Sequence, residues 1–193
     1  SKIVVIGIFI AAGLYAMIGG GAELASEKFT PFLPEGFSGV LVAMGLTFIA
    51  FEGYEIIVQA GEEVIEPRKN IPKAVFLSLL IVIPIYILVA IVCLGALVIP
   101  LDVMEVTGWS SGETWRYLAG LGETGVAVAA NNFLPWGLGA ILLVIGAVLS
   151  TMSALNATTF SSTRVSFAMG RDRFLPAALS HISPKTRTPS IAL

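Results

Sequence analysis

The chain has 193 residues, 56% of them hydrophobic and 12% charged, with a mean hydropathy of +0.90 and a formal net charge of −2. Soluble domains carry about 25% charged residues, so this composition excludes a disordered tail, a nucleic-acid binder and an ordinary water-soluble enzyme. With one cysteine (Cys93) and one histidine (His181), the chain can form neither an internal disulfide nor a zinc-ligand cluster, and no cofactor or metal is expected. Lys2 leads straight into apolar sequence, and Pro189-Ser190-Ile191-Ala192-Leu193 reads as the start of another span. Residues 1–193 are therefore expected to be one transmembrane domain cut from a longer protein.

Four stretches are long and apolar enough to cross a hydrocarbon core, which takes about 20 helical residues. They are residues 3–22, 39–60, 74–100 and 133–163. Helix is the expected state, because backbone groups in lipid must be satisfied within their own segment, and the alternation of a barrel strand is absent. The expectation is an all-α integral membrane protein. Asn70-Ile71-Pro72 predicts a capped start for the third span, and Pro84 predicts a kink within it. The long third connection contains Gly122-Glu123-Thr124 through Asn132, which predicts a short surface helix.

Charge sets the orientation. Arg68, Lys69 and Lys73 follow the second span, and Arg164, Arg171, Arg173, Lys185 and Arg187 follow the fourth. The other two connections hold Lys28 and Arg116. The positive-inside rule puts the basic loops around Arg68 and Arg171 in the cytoplasm, with 164–193 a cytoplasmic loop leading to a further span. Phe29, Phe32, Phe37, Trp109, Trp115 and Trp136 fall near the outer ends, where they suit either a membrane interface or plain packing.

The second span is the unusual one. Its uniformly apolar part, Gly39 to Phe51, is 13 residues and reaches only about 20 Å. Glu52, Gly53, Tyr54 and Glu55 follow near mid-membrane. A carboxylate at that depth costs several kcal/mol, roughly 2.5–3.5 on insertion scales, unless it finds a cavity, a partner or a proton. Gly53 between the two acids weakens the helix by about 1 kcal/mol relative to Ala. A helix broken near residues 50–54 and lining a polar cavity satisfies these demands. Alternatively, Glu52 and Glu55 pair with basic residues on helices of the longer protein that lie outside these 193 residues. Beyond them, Gln59, Glu62, Glu63 and Glu66 recur at helical spacing, as an acidic face or a solvated helix end.

The fourth span is rich in hydroxyls: Ser150, Thr151, Ser153, Asn156, Thr158, Thr159, Ser161, Ser162 and Thr163. Such groups often bond back to the preceding turn or join helices. Those from Ser150 to Ser153 could instead face a cavity and meet a cation or an ammonium.

Phe48 to Ala74, FIAFEGYEIIVQAGEEVIEPRKNIPKA, resembles the sixth transmembrane helix and following loop of the amino acid–polyamine–organocation (APC) transporters. The matching residues are Phe48, Ala50, Phe51, Gly53, Glu55, Glu62-Glu63-Val64, Pro67 and Ile71-Pro72. Arg164 to Pro176, RVSFAMGRDRFLP, is similar to the end of that family's eighth helix. The resemblance covers essentially the whole chain as helices five to eight. It implies the leucine-transporter (LeuT-type) fold of two inverted five-helix repeats. It also implies that backbone around Phe48, Ile49, Ala50, Phe51 and Gly53 meets a substrate's ammonium end. Lys2 aligns with a lysine that, in some relatives, takes the place of a sodium ion. That implies proton coupling with Ser150, Thr151 or Ser153 as neighbours; the other reading is a lysine that snorkels to the interface. Two positions depart from the pattern. Ile49 stands where many relatives carry a gating aromatic, so Phe48 or Phe51 gates instead, or the pocket is more open and apolar. Glu52 stands where relatives are commonly apolar, which suits a cationic substrate or a second proton site beside Glu55.

The expected function is secondary active transport of amino acids or related amines across the cell membrane by alternating access, coupled to protons or to exchange. Its expected partners are the small-molecule substrate, the lipid bilayer and the remaining helices of the full-length transporter. The alternative is a substrate sensor or ion-conducting protein on the same fold. An intramembrane enzyme has the least support, since the sequence holds no HExxH motif and no nucleophile–base pair within the spans.

Overall fold

The computed structural model describes residues 2–19, 26–51, 53–134 and 137–192. The described residues form helices and turns, with no strand among them. The helices are α1 (Lys2–Gly19), α2 (Gly36–Ala50), α3 (Glu55–Gln59), α4 (Pro67–Ala96), α5 (Leu101–Thr107), α6 (Thr114–Leu121), α7 (Gly125–Phe133) and α8 (Leu138–Arg171). Single 3-10 turns occupy Gly61–Glu63, Gly122–Thr124 and Ala177–Ser180.

Three stretches are long and apolar enough to cross a membrane: Gly36–Gln59 taken across its break, Pro67–Ala96 and Leu138–Arg171, of 24, 30 and 34 residues. Ile3–Gly19 is a shorter apolar helix. The ends of the long helices differ from those hydropathy suggests. α4 begins at Pro67, seven residues before the apolar run, because proline is preorganised for the first helical position. Asn70 therefore lies inside the helix and does not cap it; its amide donates to the Ile65 carbonyl at 2.6 Å. The helix runs on without interruption through Pro84 and stops at Ala96. α8 continues past Thr163 to Arg171, so Arg164 and Arg171 are helical residues and not part of a loop.

The chain divides into two compact units, Ser1–Thr47 with Val82–Ser150, and Phe48–Ile81 with Thr151–Leu193. In the first unit, Phe9, Val92, Cys93, Ala96, Leu97, Ala129 and Ala130 form one buried cluster. Phe9 meets Phe133 edge-on, with ring centroids 5.2 Å apart. The helix expected on the surface of the third connection is instead part of this core. Gly125, Ala129 and Ala130 of α7 are buried, because its small residues let the backbone pack closely against α1. Gly139 is required by a similar approach: a Cβ there would strike the Ala130 backbone.

The end of α4 shows how the unit satisfies a helix terminus, whose last carbonyls have no intrahelical donor. Fully buried Thr114 donates to the Leu94 carbonyl at 3.1 Å. Lys28 Nζ donates to the carbonyls of Gly95 and Leu97 at 2.9 and 2.8 Å. Burial holds the Lys28 ammonium below its ordinary pKa.

The second unit holds the end of α2, α3, the first half of α4, the last part of α8 and the segment that follows it. Its distinctive feature is the interruption of the second span.

Candidate functional site

The break is built from backbone outward. α2 ends at Ala50, and the Phe51 N–H donates to the Phe48 carbonyl at 3.2 Å, tightening the last turn. Gly53 then adopts φ +109°, a conformation that a side chain would strain. Its N–H donates to Glu55 Oε2 at 2.8 Å. The chain re-enters helix through two tight bonds, from Ile56 N–H to the Gly53 carbonyl at 3.3 Å and from Ile57 N–H to the Tyr54 carbonyl at 3.2 Å. The hydrogen-bond ladder from Gly45 to Gln59 is therefore interrupted between Ala50 and Glu55.

The geometry gives the two sides of the break different chemistry. The carboxylate of Glu55 occupies the Gly53 donor, and its charge is favourable at the start of α3. The carboxyl end of α2 carries the opposite partial charge and suits an ammonium or a cation. Phe48, Ile49 and Ala50 are exposed, and Phe51, Gly53 and Glu55 are half-buried, so the break is uncovered by the described chain. Glu52 lies outside the described residues.

The other expected site residues are spread differently. Ser150 is half-buried and lines a cavity of about 530 Å³ in the first unit, with Val5 and Ile6 of α1 and Gly146 and Ala147 of α8. Lys2 opens α1 one turn before Val5 and Ile6; its side chain lies outside the described residues. Thr151 and Ser153 belong to the second unit and are exposed. Further along α8, Thr158, Thr159, Ser162 and Thr163 each donate to a carbonyl in the turn before, which is the local bonding hydroxyls adopt in apolar helices.

Two groups of residues were not legible as partners in the sequence. Glu62 and Glu63 lie in the solvated turn after α3 and form ion pairs with Arg171 and Arg164, about a hundred positions away. A signal was present, since Phe-x-x-x-Arg occurs twice in α8 at a spacing of seven, Phe160 to Arg164 and Phe167 to Arg171. Lys28 gave no such signal, because what it caps is backbone.

Apolar helices of membrane length, with one such stretch interrupted at Gly53, point to a multi-pass membrane protein. The amino acid permease family matches the chain over residues 1–193. The chain belongs to that family, within the APC superfamily, and so to the LeuT-type fold. It is 33% identical to the branched-chain amino acid permease BcaP of Bacillus subtilis over 99% of this chain and 36% of that protein. It is 26% identical to the methylthioribose transporter of the same organism, over 97% of this chain and 35% of that one. With cationic amino acid transporter 3, mitochondrial, of Arabidopsis thaliana it shares 28% identity over 93% of this chain and 26% of the relative. All three are named as permeases or transporters, not enzymes. The chain spans about a third of the length of the first two. No solved structure matches it.

Proposed function

We propose that the protein carries amino acids or related amines across the cell membrane by alternating access, with coupling to protons or to exchange. The observation that carries this reading is the broken span, whose α2 end at Phe48–Ala50 suits an ammonium and whose α3 start is closed by Glu55 on Gly53. Phe48, Ile49, Ala50, Phe51 and Gly53 line the substrate's ammonium side in this reading. Protonation of Glu55 would weaken its hold on the Gly53 N–H, so a proton arriving there would loosen the break. Glu52 is a second proton site. Lys2 is a third, near the level of Ser150, since α1 and α8 approach at Val5 and Gly146, one turn from each. The basic segments around Arg68 and Arg171, which lie at helix ends, face the cytoplasm in this reading.

The side chains exposed at the break are apolar, and BcaP is named for branched-chain amino acids, so apolar amino acids head the list of substrates. The test is uptake by the purified full-length protein in liposomes, with a panel of labelled amino acids, polyamines and a sugar thioether. Each is offered under an imposed pH gradient and, separately, against internal substrate. Saturable uptake with counterflow is expected. Neither uptake nor exchange for any panel member refutes the reading, and flux without saturation or counterflow identifies a conducting protein instead.

A further inference from the structure

From Arg173 to Leu193 the chain carries Arg173, Lys185 and Arg187 and no acidic residue. The two arginines nearer the body of α8 are taken up by carboxylates, Arg164 by Glu63 and Arg171 by Glu62. Arg173, Lys185 and Arg187 are exposed and meet no carboxylate among the described residues.

The backbone that carries these cations is folded, not slack. α8 closes with two bonds, from the Phe174 N–H to the Met169 carbonyl at 2.9 Å and from the Arg173 N–H to the Gly170 carbonyl at 3.3 Å. This closure needs a left-handed residue at the position of Arg173, where glycine is usual. Arg173 adopts φ +63° there. An apolar side chain at the next position frequently packs back on the last turn, yet Phe174 is 79% exposed. The 3-10 turn Ala177–Ser180 lies against the helix end: a Cβ on Gly170 would sit 3.0 Å from both Leu179 Cβ and the Ser180 nitrogen. A second tight turn follows. The Ser183 N–H donates to the Thr188 carbonyl at 2.9 Å and the Arg187 N–H to the Ser183 carbonyl at 2.8 Å, with Arg187 at φ +53°. Lys185 and Arg187 stand on this turn, and Ile182, 50% exposed, comes just before it.

The depth of this patch follows from α8. Leu138 to Thr163 is free of charge and rises about 39 Å, enough to cross a ~30 Å hydrocarbon core at a tilt. Arg164 marks the polar boundary, and Arg171 lies about 10 Å beyond it along the axis. The headgroup layer is roughly 5–8 Å deep on each side. The turn packed against Gly170 therefore holds the segment at headgroup level. Cations set on a folded backbone, without acids and beside exposed Phe and Ile, match an anionic phospholipid. A free phosphate would offer nothing to Phe174 and Ile182.

The geometry points to a docking surface for anionic phospholipid of the leaflet in which α8 ends. Arg173, Lys185 and Arg187 meet headgroup phosphates, and Phe174 and Ile182 sit among the glycerol and upper acyl groups. The inference asks only that α8 span a bilayer, so it stands apart from the transport reading.

The experiment uses the full-length protein in vesicles, with its other reactive cysteines replaced and Ala178→Cys carrying a fluorophore. A constant trace of phosphatidylcholine with a nitroxide on its headgroup quenches the fluorophore when the segment docks. The readout is the fraction of phosphatidylglycerol in phosphatidylcholine that gives half-maximal quenching. Neutralising one cation, as in Lys185→Gln, is expected to raise that fraction about fivefold, and Lys185→Arg to leave it unchanged. Arg173→Gln with Lys185→Gln and Arg187→Gln is expected to hold quenching at the level of phosphatidylcholine alone. Phe174→Ser is expected to raise the fraction about tenfold. Salt at about 1 M is expected to weaken the dependence on phosphatidylglycerol in the parent. Arg116→Gln, which removes a cation from the first unit, is expected to change nothing. Every variant should match the parent in phosphatidylcholine alone, which shows that the segment keeps its fold. Quenching indifferent to phosphatidylglycerol overturns the proposal, and so does a triple variant that follows the parent. Inorganic phosphate that abolishes the response at matched ionic strength assigns the cations to a free phosphate and overturns it. A Phe174→Ser variant that docks like the parent overturns it too, since the cations alone would then account for the attraction.

Discussion

Gly53→Ala is the sharpest perturbation of the break, because its effect is confined to the backbone. A Cβ built on Gly53 meets nothing within 4 Å, so no clash contributes. What remains is φ +109°, a region that costs a residue with a side chain about 1–3 kcal/mol. Alanine also favours helix over glycine by about 1 kcal/mol. Both terms act in the same direction, toward joining α2 to α3, and together they amount to roughly 2–4 kcal/mol. That is a shift of about 30-fold to several hundredfold in the balance between broken and continuous helix. The expected result is a well-folded protein whose initial uptake rate in liposomes falls by at least about tenfold. Gly45→Ala is the matched control: it too places a Cβ in open space, but within helical α2. It should keep its transport rate and gain up to about 1 kcal/mol of stability. If the two variants transport alike, the conformation of Gly53 has no part in the cycle and the argument from the break fails.

Four further outcomes follow from the first unit. Lys28→Met removes two charge-assisted bonds at the end of α4 and is expected to cost about 2 kcal/mol, read as a lower melting temperature of the purified full-length protein. Lys28 also predicts a pH slope, since its folded pKa lies below its unfolded one. Between those values the unfolded chain binds more protons, so stability rises with pH from the folded value up to about 10.4, and below the folded value the Lys28 contribution is flat. Melting curves across that range should show the slope in the parent and lose its Lys28 component in Lys28→Met. Thr114→Val keeps the volume but strips the donor from a buried carbonyl, which is expected to cost about 1–3 kcal/mol in the same assay. Gly139→Ala forces the start of α8 away from the Ala130 backbone and is expected to lower the melting temperature more than Gly45→Ala raises it; equal and opposite shifts would show that the approach is looser than described.

How far the sequence could be read depends on which force places each element. Three of the four apolar stretches coincide with helices of membrane length and the first with a shorter apolar helix, because an unbroken apolar run is written locally in the sequence. The α2–α3 interruption coincides with the stretch where two carboxylates flank a glycine, since cost and flexibility are both written locally. Helix ends were less legible: Pro67 and Arg171 extend α4 and α8 beyond their apolar runs, where hydropathy no longer tracks helix but backbone bonding continues. The α7 face was misjudged for a related reason. Gly125, Ala129 and Ala130 carry little hydrophobic signal, yet small residues are what allow a helix to approach α1 closely.

The charged partners were hidden for a different reason. The repeated Phe160–Arg164 and Phe167–Arg171 spacing marks one face of α8 but does not name what it meets, so Glu62 and Glu63 looked like any solvated helix end until α8 was brought beside them.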